Sequence, residues 1–127
     1  MKKLVALLLC LMMVVPATLA SAETADGKVL NIWCWNDEFQ SRFNAYYPEV
    51  KEIAEDKSNT TLNDGTIVKW TINPNEGNNY QNKLDEALRA QESAAADDKI
   101  DIFLIEADYA LKYVDSPYTL DVKADIG

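Results

Sequence analysis

The chain has 127 residues, with 12 Lys and Arg set against 21 Asp and Glu, a formal charge of −9 and no histidine. Such acidity excludes the electrostatics that hold phosphate backbones or anionic membrane surfaces, so neither nucleic acid nor a lipid surface is an expected partner. The lack of histidine removes the commonest general base and the commonest transition-metal ligand, leaving any catalysis to carboxylates, Lys or Tyr.

At the amino end, Lys2 and Lys3 precede an unbroken apolar run of 12 residues, 4–15, followed by Pro16 and the small residues Ala20-Ser21-Ala22. This charged, apolar, small-residue order is that of a cleavable signal peptide over residues 1–22. The run falls short of the roughly 20 residues a membrane-crossing helix needs. Cys10 lies inside it, so cleavage leaves Cys34 as the one cysteine of residues 23–127, and no internal disulfide can form. Those 105 residues carry 10 basic and 21 acidic side chains, a net of −11, and have the length of one small domain.

Val29-Leu30-Asn31-Ile32-Trp33-Cys34-Trp35 is rich in β-branched and aromatic residues and predicts a buried strand that ends at Asn36-Asp37-Glu38. Phe39, Phe43, Tyr46, Val50 and Ile53 then recur at helical spacing, predicting a helix capped by Asn36 or Asp37 and kinked or restarted at Pro48. Asn63-Asp64-Gly65 is a turn signal; it leads into a strand over residues 66–72, with a short hairpin arm from Thr60 before it.

The loop Asn73-Pro74-Asn75-Glu76-Gly77-Asn78-Asn79 follows, and then a helix over residues 80–96 with an Asp85 to Arg89 pair. Residues 100–105 read as a strand covered on both faces, ending at Glu106-Ala107-Asp108, with a helical turn over 108–114 beyond it. Alternation of strand and helix predicts an α/β fold with a parallel sheet.

In parallel sheets, ligands bind beyond the carboxyl ends of the strands, where loops converge and helix amino termini present free N–H groups. All three expected strands end in polar clusters. Trp35, Tyr80 and Tyr109 stand beside Asn36, Asp37, Asn75, Glu76, Glu106 and Asp108, a mixture of carboxylates, amides and aromatic faces suited to a neutral polyhydroxylated ligand. Trp33 and Trp70, inside strands, are expected in the core, and Cys34 between two tryptophans is expected to be a small buried residue rather than a reactive thiol. Glu106 and Asp108 also suit a glycosidase carboxylate pair about 5 to 10 Å apart, the alternative reading of a secreted carbohydrate-active enzyme. No EF-hand spacing occurs, and no metal or cofactor is expected.

Three stretches carry a resemblance to a known family. Lys28-Val29-Leu30-Asn31-Ile32-Trp33-Cys34-Trp35-Asn36-Asp37, the loop Asn73-Pro74-Asn75-Glu76-Gly77 with its helix Tyr80-Gln81-Asn82-Lys83-Leu84, and Asp101-Ile102-Phe103-Leu104-Ile105-Glu106-Ala107-Asp108-Tyr109 follow the signal-like segment in order. Together they resemble the amino-terminal lobe of extracellular solute-binding proteins of carbohydrate ABC transporters, the maltose-binding-protein-like family. The resemblance implies a periplasmic-binding-protein-like α/β lobe with a parallel-type sheet flanked by helices, incomplete within this chain, so that residues 23–127 are the truncated amino-terminal part of such a lobe. It implies no enzymatic activity but capture of an extracellular carbohydrate or oligosaccharide by a periplasmic or cell-surface protein, monomeric at full length, that docks on ABC permease subunits. Ligand contacts in that family map onto Trp35, Asn36, Asp37 and Glu38, onto Glu106 and Asp108, and in some members onto the second loop, here Asn75, Glu76 and Tyr80.

Overall fold

The computed structural model describes residues 28–114 and 116–127; the expected signal peptide, residues 1–22, lies outside the described residues. The chain forms a small α/β domain around a five-stranded mixed sheet. In chain order the elements are β1 (Val29–Cys34), α1 (Glu38–Tyr46), β2 (Val50–Ile53), β3 (Asn59–Leu62), β4 (Ile67–Ile72), α2 (Asn79–Ala90) and β5 (Ile102–Phe103). Across the sheet the order is β2-β3-β4-β1-β5.

β1 runs parallel to both β4 and β5, whereas β2, β3 and β4 are antiparallel neighbours. The expected parallel sheet is therefore corrected to a mixed one. Its parallel part is the predicted one, and the antiparallel part grows from the hairpin at Asn63-Asp64-Gly65. There Gly65 adopts a φ of +88° that a side chain would oppose, and its N–H donates to the Leu62 carbonyl at 3.0 Å.

Strand alternation sends β1 residues to opposite faces. Ile32 and Cys34 join Leu62, Val68 and Trp70 in a core closed by Phe39 and Phe43 of α1. Both phenyl rings meet the Trp70 indole edge-on, with centroids 6.1 and 5.3 Å away. On the opposite face Tyr80, Leu84 and Leu88, at intervals of four along α2, pack with Ile100 and Tyr113, and Trp33 and Phe103 border them.

The helix expected to restart after Pro48 does not do so. Tyr47, which precedes the proline, is extended (φ −75°, ψ 117°), as steric conflict with a following proline ring favours, and α1 ends there. Val50 and Ile53 belong instead to β2, paired with Leu62 and Thr60 of β3. Tyr46, expected on the buried helical face, is 80 % exposed.

The second helix is likewise shorter than expected. It gives way to a 3₁₀ turn at Gln91–Ser93, where the Gln91 side chain accepts from the Ile100 N–H (3.0 Å) and donates to the Ile100 carbonyl (2.8 Å). Arg89 acts on Asp85 only through its charge, without a close ion pair; the carboxylate takes Lys112 Nζ and the Tyr113 hydroxyl, which fastens the 3₁₀ turn Ala110–Lys112 to α2. The strand expected over 100–105 pairs only at β5, on the sheet edge, where Ile102 is 41 % exposed rather than covered on both faces.

Candidate functional site

After β1 the chain passes to α1 on one face of the sheet, and after β4 it passes to α2 on the other. Connections that leave adjacent parallel strands toward opposite faces open a crevice between their carboxyl ends, the position at which open α/β sheets bind ligands. Here the register sets Cys34 beside Ile72, and the Asn73 N–H donates to the Cys34 carbonyl at 2.9 Å. β5 ends at the same edge, with Phe103 opposite Trp33 and the Leu104 N–H donating to the Trp33 carbonyl at 3.0 Å. The loops that begin at Trp35, Asn73 and Leu104 thus share one edge.

Most predicted site residues are solvent-facing there. Asn36, Asp37, Glu38, Glu76, Glu106 and Asp108 are exposed, and Trp35 and Asn75 are half-buried. Asn36 Oδ1 accepts from the Glu38 N–H at 3.1 Å and so shapes the turn into α1, while Asp37 occupies the cap position without a side-chain cap bond. Glu38 pairs with Arg42 at 2.8 Å one turn along, an exposed ion pair of small energetic value.

In the second loop Gly77 (φ +60°) and Asn78 (φ +61°) take left-handed conformations that turn the chain into α2. Asn75 Oδ1 is buried and, among the described residues, has no hydrogen-bond partner; the same holds for Gln81 Oε1 and the Tyr109 hydroxyl. Burial, and then the Glu106 and Asp108 charges, push the Tyr109 phenol above its usual range.

Tyr80 is corrected from a ligand contact to a core residue. It is 0 % exposed, and its hydroxyl lies 2.7 Å from the Leu104 carbonyl and 3.1 Å from the Trp33 carbonyl. Its ring supports the site from beneath, because Trp35 stands edge-on to it with centroids 5.6 Å apart. Cys34 is buried as expected, and desolvation pushes its thiol up to about 11.

The sequence reading missed a recess on the α2 side of the same edge. It is open, has a volume of about 420 Å³, and is lined by Trp33, Thr71, Asn73, Lys83, Glu86, Ala87 and Ala90. Trp33, expected in the core, is only half-buried and forms part of the lining. The small Ala87 and Ala90 on one side of α2 leave the space that larger residues would fill. That pair of alanines at helical spacing was the available signal in the sequence.

Among the described residues no three His, Cys, Asp or Glu side chains come together as a metal site, and no helix is long and apolar enough to cross a membrane. No protein-family model matches the sequence, and comparison with curated proteins and with solved structures gave no match.

Proposed function

We propose that this chain is an exported, non-enzymatic carbohydrate-binding component of an ABC importer. In this reading it captures an extracellular sugar or oligosaccharide at the carboxyl edge of β1, β4 and β5 and presents it to membrane permease subunits, from the periplasm or the cell surface. The observation that carries the reading is the shared carboxyl edge of β1 and β4, where an aromatic side chain, Trp35, precedes the exposed amide of Asn36 and carboxylate of Asp37. Trp35 offers an apolar surface to the C–H faces of a pyranose, and the amides and carboxylates offer paired donors and acceptors to its hydroxyls. Likeness of the sequence motifs to carbohydrate-binding lobes supports the same ligand class. Asp37, Glu76, Glu106 and Asp108 set exposed carboxylates at this edge against Lys83, whose ammonium bonds Asn73 Oδ1, a balance that favours an uncharged ligand over a sugar phosphate.

Titration of the ¹⁵N-labelled chain with a panel of uncharged oligosaccharides tests the reading. Saturable shifts at the Trp35 indole and at the Asn36 and Asn75 side-chain amides are expected, and the exposed substitutions Asn36→Ala and Asp37→Ala should weaken them. A panel-wide absence of saturable shifts, or a preference for sugar phosphates, overturns it.

A further inference from the structure

The recess between α2 and the β1–β4 part of the sheet carries chemistry that a neutral sugar does not call for. Its apolar part is the half-buried Trp33 with Ala87 and Ala90. At its rim stand Lys83 and Glu86, three residues apart on α2 and therefore on neighbouring positions of one helical face. Both are exposed, and among the described residues neither takes part in an ion pair.

Asn73 closes the recess at the loop end. It is 9 % exposed, and its Oδ1 accepts from Lys83 Nζ at 3.2 Å. That bond holds the ammonium at the recess and uses one of its three protons, leaving the others free. The Asn73 Nδ2 donor has no partner among the described residues, although the residue lines the recess. Two donors, one of them cationic, therefore neighbour one anionic acceptor above an apolar floor.

We propose that this recess binds a small zwitterion, an α-amino acid with an aliphatic or aromatic side chain. Its carboxylate is held by Lys83 and Asn73, its ammonium by Glu86, and its side chain lies against Trp33, Ala87 and Ala90. Charge complementarity decides the class: the site presents one positive and one negative group, and only a ligand bearing both charges meets each with an opposite charge. The volume lies within the range of small-molecule sites. This site adjoins the proposed sugar site, with Asn73 at the start of the loop after β4 between them, and its ligand differs in charge.

The test is a heteronuclear NMR titration of the full chain with L-leucine and L-phenylalanine, run beside their N-acetyl amides, which carry neither charge. Saturable shifts confined to Thr71, Ala87, Ala90 and the Trp33 indole N–H are expected with the free amino acids and not with the blocked ones. Glu86→Gln and Lys83→Met should each weaken binding roughly tenfold, the effect of losing one charge-assisted hydrogen bond. Both side chains are exposed, so these variants keep the fold, and a native spectrum verifies it. Equal binding of the blocked compounds, binding unaffected by both substitutions, or no saturable shift with either amino acid overturns the proposal.

Discussion

The Tyr80 hydroxyl sits 2.7 Å from the Leu104 carbonyl and 3.1 Å from that of Trp33, so one phenol from α2 joins the main chain of β1 to the segment that leaves β5. A single proton serves two acceptors. Because the loops after β1 and β5 begin at these carbonyls, the same bond sets the separation of two sides of the candidate site. Burial pushes the phenol above its usual range, consistent with a hydroxyl committed to carbonyl acceptors in an apolar setting.

Replacement of that hydroxyl should therefore cost more than an exposed one. Tyr80→Phe takes the hydroxyl donor from the Leu104 carbonyl, while the Trp33 carbonyl keeps the Leu104 N–H, and should destabilise the domain by about 1 to 3 kcal/mol, measured by urea unfolding followed through tryptophan fluorescence. A change close to zero would show that the Leu104 carbonyl finds water instead.

Cys34 is expected to be inert in the folded state. Its thiol, 0 % exposed and raised from 9.0 to about 11, should resist iodoacetamide at pH 8 and react once urea unfolds the chain. The sign of its pH linkage follows from the raised value. The unfolded thiol loses its proton first, so the contribution is fully present below pH 9.0 and is lost as pH rises toward about 11. Cys34→Ala should flatten stability across that window, by on the order of 1 to 3 kcal/mol at its upper end.

The buried relay from the Trp70 indole N–H to Thr60 Oγ1 (3.0 Å), and from the Thr60 hydroxyl to Asn44 Oδ1 (2.7 Å), ties β4, β3 and α1 together. Thr60 is 0 % exposed. Thr60→Val keeps the shape and removes the hydroxyl, leaving one donor and one acceptor unmatched, for an expected loss of about 1 to 3 kcal/mol. Thermal unfolding of the variant beside the parent chain measures it.

Asp85 fastens the segment around Tyr113 to α2. Burial pushes its pKa up, but the hydrogen bonds from Lys112 and Tyr113 outweigh it and hold the carboxyl below its usual 3.8. A depressed pKa means stability that is present above 3.8 and lost as pH falls below it. Asp85→Asn should cost about 1 kcal/mol at neutral pH, remove this acid dependence, and raise amide hydrogen exchange over residues 106–114 ahead of the sheet.

Several features of the fold could be read locally. The β-branched and aromatic run before Asn36 marks β1, Asn63-Asp64-Gly65 marks the hairpin, and the spacing of Tyr80, Leu84 and Leu88 marks the buried side of α2. Each signal is local because it depends on strand or helix period, or on backbone conformations that only certain residues take readily. Val50 and Ile53 stand three apart, the period of a helical face, and a short strand with a register shift between Val50 and Glu52 carries no clean alternation to oppose that reading. Pairing with β3, made by residues seven or more positions away, decides between helix and strand.

The candidate site divides in the same way. The amino-acid sequence alone sets the acidity, the absence of histidine and the placing of polar, turn-forming residues after each parallel strand, since all of these are properties of the chain before it folds. Only the tertiary structure decided that the loops after β1, β4 and β5 meet on one edge, that Tyr80 lies beneath that edge instead of on it, and that Trp33 borders an open recess. Burial and strand neighbourhood arise from contacts between residues far apart in sequence, and no local pattern specifies which partner a side chain will meet.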